Sequence, residues 1–224
     1  MSVFLVVLLG LMALPVQGQS LRLDEYSETL KPNKVISGWD STKFSPVFGS
    51  GNKFFFQFVY KSPEEHYLHL ASGDDNSFSV GSKKEIKLAD WPVLSWEWKV
   101  TTTPKGGDVQ IKEKDDQAGS ICLVVDPGMT SFDSSLCYIY ENDGPKDQVL
   151  TSKKDEKAKY IIVRSAKADG LGKWFSEKRN LLEDYKKAFG RTPTKIGVIG
   201  MQIDSNDTKS SGEAFFRKII LTKK

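Results

Sequence analysis

The sequence predicts a mainly β protein, an antiparallel β-sandwich of the jelly-roll kind with one short amphipathic helix near residues 181–189. Short apolar runs of strand length recur along the chain, separated by polar turns rich in Gly, Asp and Pro. In the run Val93–Val100 a period of two sends Leu94, Trp96, Trp98 and Val100 to one face and Ser95, Glu97 and Lys99 to the other. A hydrophobic fraction of 39% and an aromatic fraction of 11% over 224 residues supply enough apolar surface for one large core. No repeat or low-complexity linker divides the chain, so a single domain is expected over residues 19–224.

The first 18 residues read as a cleavable secretory leader. Val3–Leu14 is an almost unbroken apolar run, and Pro15-Val16-Gln17-Gly18 suits cleavage before Gln19, although no Lys or Arg precedes the run. A membrane-spanning helix needs roughly 20 apolar residues, so an integral membrane protein is not expected; the localisation is secreted or periplasmic. The formal charge of +3 is nearly balanced, and no basic cluster interleaves with aromatics. Nucleic acid is thereby excluded as a partner.

Strands are expected at Val35–Trp39, Phe54–Tyr60, Tyr67–Ala71 and Phe78–Val80, the last two separated by the turn signal at residues 73–76. The pair Val93–Val100 and Ser120–Val125 forms the centre, the second strand apolar on both faces as if covered from two sides. A strand around Leu136–Tyr140 and others at Lys159–Arg164, Lys195–Ile203 and Ala214–Leu221 complete the set. In the helix, Asn180 caps the first turn with Glu183 reaching back, and Leu181, Leu182, Tyr185 and Phe189 form the apolar stripe. Gly190 ends it, and Pro193 follows.

Cys122 and Cys137 lie in two apolar strands around a turn-rich segment. A hairpin centred near Met129 and Thr130 would bring them face to face, as a disulfide or as two buried thiols.

The runs WPVLSWEWKV (91–100), KDDQAGSICLVVD (114–126), LCYIYEN (136–142), WFSEKRNLLEDYKKAFG (174–190) and VIGMQIDSNDT (198–208) resemble, in order, the successive motifs of the family known as domain of unknown function 3047. The resemblance implies an exported, mostly bacterial protein with a jelly-roll, galactose-binding-like fold, and it brings no activity with it. Where family members carry an Arg after the double acid, this chain has Gly119 and Ser120, which weakens any shared Asp–Arg catalytic pair.

Trp96 and Trp98 could stack on sugar rings, but their strand-mates Leu94 and Val100 make that face uniformly apolar, so it is read as core. The Ser95, Glu97 and Lys99 face is then the one for a ligand. His66 and His69 are the only histidines, and strand spacing turns their rings to opposite faces, which argues against zinc and against a Ser-His-Asp triad. Asp115, Asp116, Asp204, Asn206 and Asp207 are acids and an amide with chemical potential: calcium at Asp116, Asp204 and Asn206, or a carboxylate pair for glycoside hydrolysis. Against both stands the reading of solvated turn acids at strand ends. No other cofactor is expected. Asn206-Asp207-Thr208 is also a glycosylation sequon. Trp174, Lys178 and Arg179 could form a basic-aromatic lip for an anionic sugar, with Arg179 balancing the acids.

Three function classes follow. The first is a non-catalytic module binding an extracellular carbohydrate or envelope component. The second is a polysaccharide hydrolase or lyase using Asp115, Asp116 and Asp204. The third is a structural envelope protein with no small-molecule site.

Overall fold

The computed structural model describes residues 19–41, 54–73, 76–126 and 134–223; the expected leader at 1–18, the hairpin tip near Met129 and Thr130, and Asp74 and Asp75 of the expected turn lie outside the described residues. From the N-terminus the strands are β1 (Ser20–Arg22), β2 (Trp39–Ser41), β3 (Phe54–Tyr60), β4 (His66–Ser72), β5 (Ser77–Ser82), β6 (Ile86–Lys87) and β7 (Val93–Thr102). Then come β8 (Gly119–Val125), β9 (Ser134–Glu141), β10 (Val149–Thr151), β11 (Ala158–Ser165), β12 (Phe175–Asn180), β13 (Lys195–Asp204) and β14 (Gly212–Thr222). Among the described residues two α-helices interrupt them, α1 (Ala166–Asp169) and α2 (Leu181–Phe189), besides one 3-10 turn at Lys112–Lys114.

The strands form two sheets facing one another. One runs β12-β7-β14-β4-β3 with β1 added on β14; the other runs β10-β11-β9-β8-β13-β5-β2 with β6 added on β13. Neighbours are antiparallel except β9 and β11, which run parallel. The chain between them, residues 142–157, is long enough for the crossover that a parallel pair requires, and it lays β10 on the sheet edge on the way.

The core lies between the sheets, built by the alternation visible in the sequence. Trp96 and Trp98 are 1% and 0% exposed. Their indoles meet Tyr138 and Tyr140 of the opposite sheet at ring-centroid distances of 5.3 and 5.5 Å. At full burial a large aromatic contributes several kcal/mol of transfer free energy. Close approach shows most clearly at Gly81, where a Cβ would sit 2.3 Å from the Ile199 carbonyl oxygen of the paired strand β13. Among the described residues no helix is long and apolar enough to cross a membrane.

The cap of α2 is as expected: Asn180 Oδ1 accepts from the Leu182 and Glu183 N–H groups, and Gly190 ends the helix at φ 71°. Glu183 reaches the Asn180 side chain, not its backbone (Nδ2 donates to Oε1 at 2.6 Å). Cys122 and Cys137 are direct cross-strand partners with Cα atoms 4.1 Å apart, and they form a disulfide.

The expected strand Val35–Trp39 is displaced. Residues 34–36 are irregular between turns at 32–33 and 37–38, with Asn33 at φ 59° and Gly38 at φ 77°, and only Trp39 begins the pairing. Four strands escaped the sequence pattern: β1, β6, β10 and β12. The first three are two or three residues long. β12 is six residues long but turns Phe175, Glu177 and Arg179 inward, so charge breaks the apolar period.

Candidate functional site

The alternation that buries Trp96 and Trp98 turns Ser95, Glu97, Lys99 and Thr101 to the outer face of the six-stranded sheet. Register extends that face across four strands. Lys99 lies opposite Phe215 of β14, Phe215 opposite His69 of β4, and His69 opposite Gln57 of β3. On one side of this row, Glu97 faces Arg217. On the other, Glu213 faces Ala71, and Ala71 faces Phe55.

The aromatics of this face touch one another. His69 stacks on Phe215 (ring centroids 4.3 Å) and meets Phe55 at 5.1 Å; Tyr67 meets Phe215 at 5.7 Å. Trp174 arrives from the segment before β12, where the Gly172 N–H donates to the Val100 carbonyl at 2.8 Å and carries the chain alongside β7. Its indole lies over the Arg217 guanidinium at 4.0 Å and near Tyr67 at 6.4 Å. All five rings are half-buried.

Between the rings run hydrogen-bonded charges. Glu97 accepts from Arg217 Nε at 2.6 Å and Lys218 Nζ at 2.7 Å. Burial pushes its carboxyl up, but these two donors outweigh it and hold it below the usual range. Glu213 accepts from the Thr101 hydroxyl and pairs with His69 Nε2 at 2.9 Å. Burial lowers His69 more than Glu213 raises it, leaving the imidazole neutral near pH 7.

A β-bulge shapes this network. Between Arg217 and Ile220, β14 carries one residue more than β7 carries between Glu97 and Ser95. Lys218 sits at φ 53°, a left-handed conformation that costs a non-Gly residue roughly 1 kcal/mol or more. The extra residue puts consecutive side chains, Arg217 and Lys218, on one carboxylate. The buried Asp24 holds the bulge from below: its Oδ1 accepts from the Ile219 N–H at 3.1 Å and from Arg22 Nε at 2.9 Å.

Of the residues singled out in the sequence, Glu97, Lys99 and Trp174 share this face. Tyr67, His69, Phe55, Phe215 and Arg217 were missed as members of it. The signal was present: in FFFQFVY and AFFRKIIL consecutive Phe residues cannot all face inward on a strand.

The acids gather elsewhere, at one end of the eight-stranded sheet, where antiparallel pairing of β8 and β13 brings Asp116 to Asp204. They are not solvated turn acids: Asp115, Asp116 and Asp204 are 2%, 0% and 3% exposed. Asp116 accepts from the Asp207 N–H (3.1 Å), the Thr208 N–H (2.6 Å) and the Thr208 hydroxyl (2.5 Å). Burial first, then the charge of Asp116, push Asp204 well above the carboxylate range. Burial likewise raises Asp115. Lys154 supplies the counter-charge through Asp207. Among the described residues no group of three or more His, Cys, Asp or Glu side chains is arranged to hold a metal ion. Asn206 and Thr208 of the sequon belong to this packed corner, with Asn206 Oδ1 buried and without a hydrogen-bond partner among the described residues.

Arg179 is corrected on two counts. It neither balances these acids nor joins Trp174 in a lip. The inward parity of β12 directs it to Asp184 (2.7 Å) and Asp147 (2.5 Å), over the Tyr138 ring and alongside the Leu94 end of β7. Trp174 and the exposed Lys178 have the opposite parity and face outward.

A family model described as "Protein of unknown function (DUF3047)" matches residues 37–220. No curated protein matches the chain. Similar solved structures include the family 11 carbohydrate-binding module of a cellulosomal cellulase of Clostridium thermocellum (TM-score 0.44, 10% identity, 86% of this chain and 91% of that one). Another is the family 30 carbohydrate-binding module of a second cellulosomal cellulase of Clostridium thermocellum (TM-score 0.45, 11% identity, 92% and 98%). A third is the xyloglucanase domain of NopAA, a type three effector from Sinorhizobium fredii, in complex with cellobiose (TM-score 0.43, 11% identity, 85% and 100%).

Proposed function

We propose that this chain, which belongs to the DUF3047 family of proteins of unknown function, is an exported, non-catalytic module that binds a carbohydrate across the outer face of its six-stranded sheet. One observation carries the reading: strand register puts Phe215, Tyr67, His69 and Phe55 on a single face, the segment before β12 adds Trp174 to it, and the hydrogen-bonded pairs Glu97–Arg217 and Glu213–His69 interleave with these rings. A pyranose offers an apolar C–H face and a rim of hydroxyls. Aromatic rings suit the first, and charged groups with fixed geometry suit the second. β-Bulges that re-aim side chains recur beside binding sites, and this one brings two cations to one carboxylate on that face.

The hydrolase reading finds no comparable support, because Asp115, Asp116 and Asp204 are closed off from a polymer. Calcium at Asp116, Asp204 and Asn206 is likewise disfavoured: N–H and O–H donors already occupy Asp116, and the Lys154 ammonium sits in the same corner on Asp207. Export rests on the leader-like Val3–Leu14 run; mass spectrometry finding Met1–Gly18 on the native protein would remove it.

The test is a glycan array followed by calorimetry on the wild type, Trp174→Ala and Phe215→Ala, with reducing-sugar release measured in parallel. Binding should fall at least tenfold in each variant, about 1.4 kcal/mol, with unchanged unfolding and no sugar released. Full binding by both variants would overturn the placement, and sugar release by the wild type would overturn the non-catalytic reading.

A further inference from the structure

Among the described residues two lysines of the outer face make no ion pair, the exposed Lys178 and the half-buried Lys99. Arg217 and Lys218 are both committed to Glu97, and Glu213 is committed to Thr101 and His69. Lys99 stands between these pairs, and among the described residues it makes no ion pair. Its ammonium is held instead over the Phe215 ring at 4.1 Å and near the Trp174 ring at 5.4 Å. Ring faces attract a cation without neutralising it, and half-burial removes part of its water. The adjacent strands leave the balance positive: β12, β7, β14 and β4 turn outward Lys99, Lys178, Arg217 and Lys218 against Glu97 and Glu213.

We propose that the glycan taken by this face is acidic, a polysaccharide whose carboxylate or sulfate group docks on Lys99 while its sugar rings lie along Trp174 and Phe215. The inference rests on the carbohydrate-binding reading above. Its physical content is that Lys99 is a point charge preorganised by two rings, so an incoming anion pairs with it without first displacing a protein carboxylate. A neutral glycan would leave Lys99 with nothing but its rings, and the excess of positive charge on the face would do no work.

The experiment measures affinity for three acidic polymers, polygalacturonate, alginate and carrageenan. Each is set beside its own neutral counterpart, carboxyl-reduced or desulfated, and beside cellulose and xyloglucan. The wild type should prefer at least one acidic polymer over its counterpart by tenfold or more. Lys99→Met, with unchanged thermal unfolding, should bring those two affinities together, while Lys84→Met, an exposed lysine in the segment between β5 and β6, should keep the preference. Whether a uronate or the sulfate polymer shows the effect distinguishes the two anions. A preference that survives in Lys99→Met, or vanishes equally in Lys84→Met, overturns the assignment. Binding of neutral polymers alone overturns this inference and leaves the carbohydrate reading standing; binding of none overturns both.

Discussion

Neighbouring tryptophans on one strand can be equally buried and unequal in chemistry. The Trp98 indole N–H donates to Glu177 at 3.3 Å, whereas the Trp96 N–H is buried with no partner among the described residues. Replacing either by Ala should cost about 3–5 kcal/mol by opening a cavity. Replacing each by Phe separates them. Trp96→Phe discards an unsatisfied donor, while Trp98→Phe removes a bond to a charged acceptor. The Trp98 change should therefore be the costlier by about 1–2 kcal/mol, read from urea midpoints, and equal losses would count against this account. The sequence made the burial of both residues legible through its period of two. The difference in partners was not, because Glu177 belongs to a strand whose inward residues are Phe, Glu and Arg. Trp174 shows the converse: it could be singled out as a candidate, but its contacts with Arg217 and Tyr67 depend on how the segment before β12 meets β7.

At the scale of elements, the β8–β9 hairpin was the part most open to reading. Two apolar runs around a turn-rich segment place Cys122 opposite Cys137, and the pairing has that register. Their bond closes a sequence separation of 15 residues, for which chain-entropy arguments give roughly 3 kcal/mol. The double variant Cys122→Ser, Cys137→Ser should lose about that much stability, and dithiothreitol should lower the wild type to the same urea midpoint while leaving the variant alone. If reduction leaves the wild type's midpoint in place, the bond constrains little. The β14 bulge lay beyond sequence reading. Nothing in AFFRKIIL marks Lys218 as left-handed; that conformation follows from Asp24, nearly two hundred positions earlier, taking the Ile219 N–H. Local pattern gives the strand, and distant contacts decide where it breaks.

For the whole molecule, the two sheets divide two electrostatic tasks, and pH separates them. On the outer face Glu97 and Glu213 are held below their ordinary range by cations and hydrogen bonds, which outweigh burial. They favour folding above about pH 4 and lose that effect in acid. On the eight-stranded sheet burial dominates instead. Glu141 is pushed up to about 8, the N–H groups of Asn142 and Val109 only partly opposing, and Asp115 and Asp204 are raised with it. The sign is then fixed. Between the ordinary Glu value near 4.5 and about 8, folded Glu141 keeps a proton that the unfolded chain has released. Stability therefore falls as pH rises, with a slope approaching 1.4 kcal/mol per pH unit for one such group. His69, lowered mainly by burial, acts in the opposite sense and fades as pH rises past about 6.5, so towards pH 8 the buried acids dominate. Urea midpoints should drop from pH 6.5 to 8 in the wild type and drop less in Glu141→Gln, which stays neutral at every pH. The variant should also be the more stable of the two at pH 8. A wild-type midpoint that is flat or rises from 6.5 to 8 would show that Glu141 is ionised in the folded protein, and that its Oε2, without a partner among the described residues, has found one.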